Sequence, residues 1–203
     1  EQLEVFCDGA SAPAGAPGSP QVQPGEVPAP ARVALVDDPE RRLFTGLIGG
    51  YGKVAGTPLA AAFIGRAPTA DDVPAEVQQS VGYLGEGLIL EATRLGLGTC
   101  WIAGSFDKAA AARLAELGPG KAIVAVTPLG FAAERQGSGE RVVRTFVKAS
   151  ARLSVEKLAP GILDGVWPAW AVSAVQAARL APSGGNRQPW RFRLDGDALV
   201  AEL

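Results

Sequence analysis

Between Ala171 and Leu194 the chain reads as a helix, a stop, a turn and a strand in quick succession. An Ala-rich apolar pattern at helical spacing runs from Ala171 to Ala181 and meets Pro182, and an extended pattern resumes from Trp190 to Leu194. Pro182 ends the helix, because it has no N–H for the next helical bond and its ring clashes with the preceding turn. Ser183, Gly184, Gly185 and Asn186 then predict a turn with open backbone donors and short polar side chains, which can lie close against a polar ligand. Pro189-Trp190 restarts an extended backbone carrying a large aromatic anchor. An ordinary helix–turn–strand connection accounts for the same residues, and on chemistry alone both readings stay open.

Composition narrows the class. A chain of 203 residues that is 47% apolar can bury a sizeable core. A net charge of −2 gives no reason to expect a nucleic-acid or membrane-surface partner. No apolar run reaches bilayer length and no signal peptide is visible, and the low cysteine content makes a reducing cytoplasm the expected compartment. Two cysteines, Cys7 and Cys100, make no disulfide framework, and Cys100 reads as a buried, inert thiol at a helix end. With no His in these residues, a Ser-His-Asp or Cys-His catalytic set is excluded within them. No Cys/Asp/Glu cluster has metal-ligand spacing, so no metal site is expected. Met is absent even at position 1, which leads us to expect residues missing from the ends.

Along the chain, residues 8–31 are rich in Ala, Gly, Pro and Ser and predict an irregular surface loop. Arg32–Val36 predicts a short strand, Pro39–Ile48 a helix and Pro58–Ile64 a buried strand. Val77, Val81, Leu84, Leu88, Ala92 and Leu95 fall at helical spacing, with Pro74 in the first turn and Gly96 at the end. Apolar residues on its other faces predict burial on more than one side. Trp101-Ile102 reads as extended, Asp107 as the cap of a helix from Lys108 to Leu117 closed by Gly118, and Ala122–Leu129 as a strand buried on both faces. Residues 133–150 are polar and basic, suiting a connecting arm. A helix over 168–181 leads into the turn, and a hairpin pairs Trp190–Leu194 with Leu199–Leu203 across Asp195-Gly196-Asp197. Trp167 and Trp170 flank Pro168 and are expected to pack the helix start. Strands and helices alternate without strict βαβ order, which favours α+β.

Ala178-Arg179-Leu180-Ala181, the run Pro182–Trp190, and Phe192 together resemble the A-R-x-A-P-S-x-x-N-x-Q-P-W-x-F signature of the FMN-dependent nitroreductase family. Further resemblances follow. Gly96-Leu97-Gly98-Thr99-Cys100-Trp101-Ile102 is similar to the family's segment at the end of its central helix, Gly104-Ser105-Phe106-Asp107 to the G-x-F-D after it, and Ala125–Phe131 to a later core strand. Arg152-Leu153-Ser154-Val155 resembles a worn form of the R-R-S-V-R that opens the family domain. The signature, found early in that domain, here lies near the end. An internal duplication explains the order: residues 1–135 a first nitroreductase-like repeat without its opening segment, 136–150 an arm, and 151–203 the start of a second repeat packing with the first. The implied fold is a central, mainly antiparallel sheet flanked by helices, with the duplication forming a pseudo-dimer. A circular permutation is the alternative.

The resemblance implies an oxidoreductase in which FMN carries electrons from NADH or NADPH to a small-molecule acceptor such as a nitroaromatic or quinone. The chain would be a monomer with an internal pseudo-dimer or a homodimer. No side-chain catalyst is implied, since the flavin does the chemistry. The implied cofactor-binding residues are Pro182, Ser183, Gly184, Asn186 and Gln188 of the signature. Lys53 is implied at the pyrimidine edge, Gly104 and Ser105 facing flavin N5, and Arg152 and Ser154 at phosphate, these last two in a second site. Beside these stand plainer readings: a solvated loop lysine at 53, a helix N-terminal turn at 104–105, and a turn-ordering role for Gln188. Trp190 is expected to pack in the core. Residues 49–54 lack the leading Gly and the Ser/Thr of a Walker A loop. Many family members carry an acidic residue near Gly104, and this chain has Ala103-Gly104-Ser105. That departure, with the worn Arg152-x-Ser154, motivates the alternative of a non-catalytic flavin-binding protein or pseudoenzyme.

Overall fold

A computed structural model of the chain describes residues 31–44, 54, 57–131 and 151–203. The chain divides into two compact units, Glu1–Gln136 and Gly137–Leu203. Lys53, residues 1–30 and residues 132–150 lie outside the described residues.

The first unit is built on a three-stranded antiparallel sheet of β1 (Ala31–Asp37), β2 (Leu59–Arg66) and β3 (Lys121–Pro128), with β2 central. β1 pairs with β2 from Ala31↔Gly65 to Asp37↔Leu59, and β2 with β3 from Ala60↔Pro128 to Arg66↔Lys121. Alternate residues of β2 face opposite layers. Ala61 and Phe63 join Val81, Leu88 and Ala92 of helix α1 (Ala75–Arg94), whereas Ala60, Ala62 and Ile64 join Ala111 and Ala115 at helix α2 (Lys108–Leu114). The continuous apolar run of β2 follows from burial on both faces. Its register with β3 shifts between Phe63 and Ile64, leaving Val124 extra. Val124 and Ala125 therefore both pack on the α1 layer, as a β-bulge requires.

The outer edge of β3 is lined by residues 98–102, through the bridges Gly98↔Gly130 and Ile102↔Val126. Pro128 has no N–H to continue that ladder. Midway, the Cys100 N–H donates instead to Thr127 Oγ1 at 2.9 Å. Cys100 is exposed, contrary to the buried thiol expected, because this edge segment turns its side chain outward.

α1 begins after Pro74 and ends in a Schellman motif. Gly96 takes φ +76°, its N–H reaches Thr93 O at 2.9 Å, and Leu97 N–H reaches Ala92 O at 2.9 Å. Burial follows one stripe, Val77, Ser80, Val81, Gly85, Leu88 and Ala92, while Tyr83 and Leu90 are exposed. The expectation of burial on several faces is thus not met. α2 is capped by Asp107, whose Oδ1 accepts from Ala110 N at 2.9 Å. It ends at Leu114 rather than Leu117, because Glu116 takes the left-handed φ of 48° and Leu117 N–H returns to Ala112 O at 2.9 Å. The helix expected from Pro39 does not form over 39–44. There the buried Asp38 carboxylate accepts from Leu43 N at 2.7 Å and Arg41 takes φ 52°, closing turns instead.

The second unit holds α3 (Val155–Leu158), a 3-10 turn Ile162–Asp164, α4 (Ala169–Ala178), a 3-10 turn Gly184–Asn186 and the hairpin of β4 (Arg191–Asp195) and β5 (Ala198–Glu202). The hairpin register runs from Arg191↔Glu202 to Asp195↔Ala198, leaving Gly196-Asp197 as the turn. Leu158, Ala159, Ile162, Val175 and Phe192 form its core, with Leu153, Trp167 and Trp190 packed around them. Trp170, expected to pack the helix start, is 40% exposed.

The secondary structure is α+β, with an antiparallel sheet between helices in the first unit. No helix among the described residues is long and apolar enough to cross a membrane, and no metal-ligating cluster occurs among them.

Candidate functional site

α4 tightens as it nears Pro182. Leu180 N and Ala181 N donate to Ala177 O and Ala178 O at 3.0 and 3.1 Å, the shorter-ring bonds of a closing helix. Ser183 is extended, with φ −147° and ψ 155°. Gly185, Asn186 and Gln188 then take φ of 59°, 55° and 49°. Left-handed backbone is disfavoured for residues with a Cβ and persists only where bonds overdetermine it.

Those bonds are present. Ser183 O accepts from Asn186 N at 2.9 Å, and Ser183 Oγ accepts from Gln188 N at 2.9 Å. Asn186 Nδ2 donates to Ala151 O at 2.9 Å. Arg152 donates from Nη1 to Ala151 O at 3.0 Å and Asn186 Oδ1 at 3.4 Å, and from Nη2 to Leu180 O at 3.1 Å. Gln188 is 4% exposed. Its Oε1 accepts from Leu153 N at 2.9 Å, and its Nε2 donates to Ala151 O and Asn186 O, each at 3.3 Å. Residues 151–153 are thereby laced to the turn.

The structure thus brings together Arg152, Ser183, Asn186 and Gln188 within one unit. Pro182 and Gly184 lie on either side of Ser183. Ser154 caps α3, its Oγ accepting from Lys157 N at 3.3 Å. Gly104 and Ser105 belong to the first unit, in the loop between the edge segment and Asp107, where Gly104 is exposed and Ser105 half-buried.

Arg179 joins this group, a residue that the turn chemistry alone does not pick out. It sits at the C-terminus of α4, where a cation suits the helix dipole. Its Nη1 donates to Leu153 O at 3.3 Å. Its Nε is buried with no acceptor, as is Nε1 of Trp190. A signal for it exists in the sequence: α4 carries no charged residue, and Arg179 ends it with one. Guanidinium groups beside a polar turn can bind an anion through charge-assisted bonds, and Arg179 meets no carboxylate among the described residues.

The chain matches the family model described as "Putative TM nitroreductase" over residues 68–203. Among solved structures, it is similar to a "putative nitroreductase" from Thermotoga maritima at 23% identity, covering 70% of this chain and 52% of that one, with a TM-score of 0.47. A nitroreductase family protein from Clostridium novyi is 20% identical over 52% of this chain and 63% of that one, TM-score 0.38. An FMN-dependent nitroreductase from Clostridium difficile is 18% identical over 66% of this chain and 75% of that one, TM-score 0.42. The chain thus spans about half the length of the Thermotoga relative and less than two thirds of the Clostridium novyi one. No curated protein matches. With the family model covering more than half of its residues, the chain belongs to the nitroreductase family.

Proposed function

We propose that this chain is a flavoprotein oxidoreductase that binds FMN through the turn after α4 and the segment laced to it. The observation that carries the reading is the meeting of Arg152 with Asn186 in a turn that holds two residues with a Cβ, 186 and 188, in left-handed backbone. Backbone strain held in place by a bond network is characteristic of ligand sites. The donor set suits a phosphate-bearing cofactor: Arg152 and Arg179 stand beside the turn, and Arg179 Nε is a buried donor awaiting an acceptor.

When bound, FMN would supply the redox chemistry, accepting hydride from NADH or NADPH and passing electrons to a nitroaromatic, quinone or similar small acceptor. The protein's part is to bind and orient. Ser183 and Asn186 offer hydroxyl and amide contacts to the ribityl chain, with Pro182 and Gly184 shaping the approach and Gln188 ordering the turn. The resemblance assigns Arg152 and Ser154 to a second site; because Arg152 bonds Asn186, we place them at the phosphate of the flavin that meets this turn. For the first unit, taken by itself, we propose that the Lys53 ammonium suits the pyrimidine edge of a flavin, where negative charge develops on reduction, and that the Gly104-Ser105 backbone suits N5. Two nitroreductase-like repeats, 1–135 and the opening of a second at 151–203 joined by 136–150, are part of the same proposal.

A second reading, flavin binding without catalysis, draws on the internal satisfaction of Ser183 and Asn186, which gives the turn a structural role of its own. Anaerobic addition of NADH or NADPH to FMN-loaded protein separates the two. Bleaching of the yellow colour supports the oxidoreductase, a colour that persists supports binding alone, and a protein that takes up no FMN removes both.

A further inference from the structure

Gln188 bonds residues 151–153 to the turn from a backbone conformation that L-residues avoid. Its bonds have one geometric consequence. Oε1 on Leu153 N and Nε2 on Ala151 O grip the backbone on both sides of Arg152. The same Nε2 on Asn186 O, with Gln188 N on Ser183 Oγ, grips the turn. Arg152 is therefore fixed against Asn186 at 3.4 Å by a residue that is itself buried.

We propose that Gln188 is the positioning residue that presets the Arg152 guanidinium for the phosphate of the flavin, an inference that rests on the flavin reading above. Presetting removes the ordering cost that the ligand would otherwise bear on binding. Because the effect passes through Arg152, it falls on the phosphate and not on the ring system.

Riboflavin lacks that phosphate, so comparing the two flavins isolates the role. Gln188→Met keeps the buried volume and removes every side-chain bond of the clamp. Titrated by flavin fluorescence on the full chain, Q188M is expected to weaken both flavins, because the turn that meets the ribityl chain loosens too, but to weaken FMN about tenfold or more beyond riboflavin, so that the FMN-to-riboflavin preference collapses. A preference equal to that of the unsubstituted chain overturns the proposal, and so does an equal loss for both flavins, the mark of a merely structural residue. Should Q188M fail to fold, Gln188→Asn, which keeps the amide but is one methylene too short to span both sides, is read by the same ratio. If the unsubstituted chain takes up neither flavin, the flavin reading fails on its own. Hydrogen exchange at the Leu153 amide then decides the clamp: faster exchange in Q188M or Q188N, with β4–β5 protection retained, supports it, and unchanged exchange overturns it.

Discussion

At Gly85, α1 passes so close to Trp101 that a methyl group has no room. A Cβ there would lie 2.2 Å from Trp101 Cη2 and 3.1 Å from Phe63 Cε1. The indole cannot swing away freely, since it rests on Phe63 at 4.6 Å between ring centroids and its Nε1 donates to Glu86 at 3.2 Å. Replacing Gly by Ala inside a helix ordinarily gains about 0.5–1 kcal/mol, but overpacking a filled core costs about 1–3 kcal/mol. The second effect wins, so G85A should lower the unfolding free energy by about 1–2 kcal/mol. Urea denaturation checks this, and a midpoint at or above that of the unsubstituted chain contradicts it. Glu116 is the opposite case. It is exposed and holds φ 48° at the position that ends α2, where Gly is favoured. E116G should raise stability by about 0.5–1 kcal/mol in the same assay, the strain relieved exceeding the entropy added to the unfolded chain. Neither residue advertises its role in the sequence. Gly85 reads as a mere weakness in a helix, and Gly118 looks like the stop that Glu116 provides.

Elements whose signals are local are legible in the sequence. Pro74 and Gly96 bracket α1 because the first tolerates only a helix start and the second supplies the left-handed residue of the Schellman motif. The apolar runs of β2 and β3 reveal burial on both faces. Elements decided by distant groups are not legible there. Residues 39–44 carry a plausible helix pattern, but the Asp38 carboxylate captures Leu43 N and Leu43 O accepts from Asp107 N at 3.0 Å, so tertiary bonds override propensity. The exposure of Cys100 likewise depends on which edge of β3 its segment covers. On the last turn of α1, Arg94 bonds Glu91 through Nη2 and Nε at 2.6 and 2.8 Å, and this hydrogen bonding holds the Glu91 carboxyl below its ordinary value of 4.5. A carboxyl depressed in the folded state stabilises above its unfolded value and loses that contribution as pH falls through the folded one. Stability measured at neutral pH and again well below 4.5 should therefore show a small acid-side loss that E91Q abolishes, and an identical acid-side loss in E91Q would contradict it.

For the molecule as a whole, the family is legible because the signature 178–192 is local and ungapped, and the family model extends that likeness to residues 68–203. The candidate site is legible only in part. Ser183, Asn186 and Gln188 stand out as turn residues, and the resemblance adds Arg152, but nothing in the sequence shows that Gln188 bonds both sides of Arg152 or that Arg179 carries a buried donor without an acceptor. Those are facts of packing between segments some thirty residues apart, which local patterns do not encode. Equilibrium dialysis of the full chain against FMN bears most directly on the whole account. Saturable binding that Asn186→Ala weakens by about tenfold or more is the result the account predicts. The absence of saturable binding by the unsubstituted chain would contradict it.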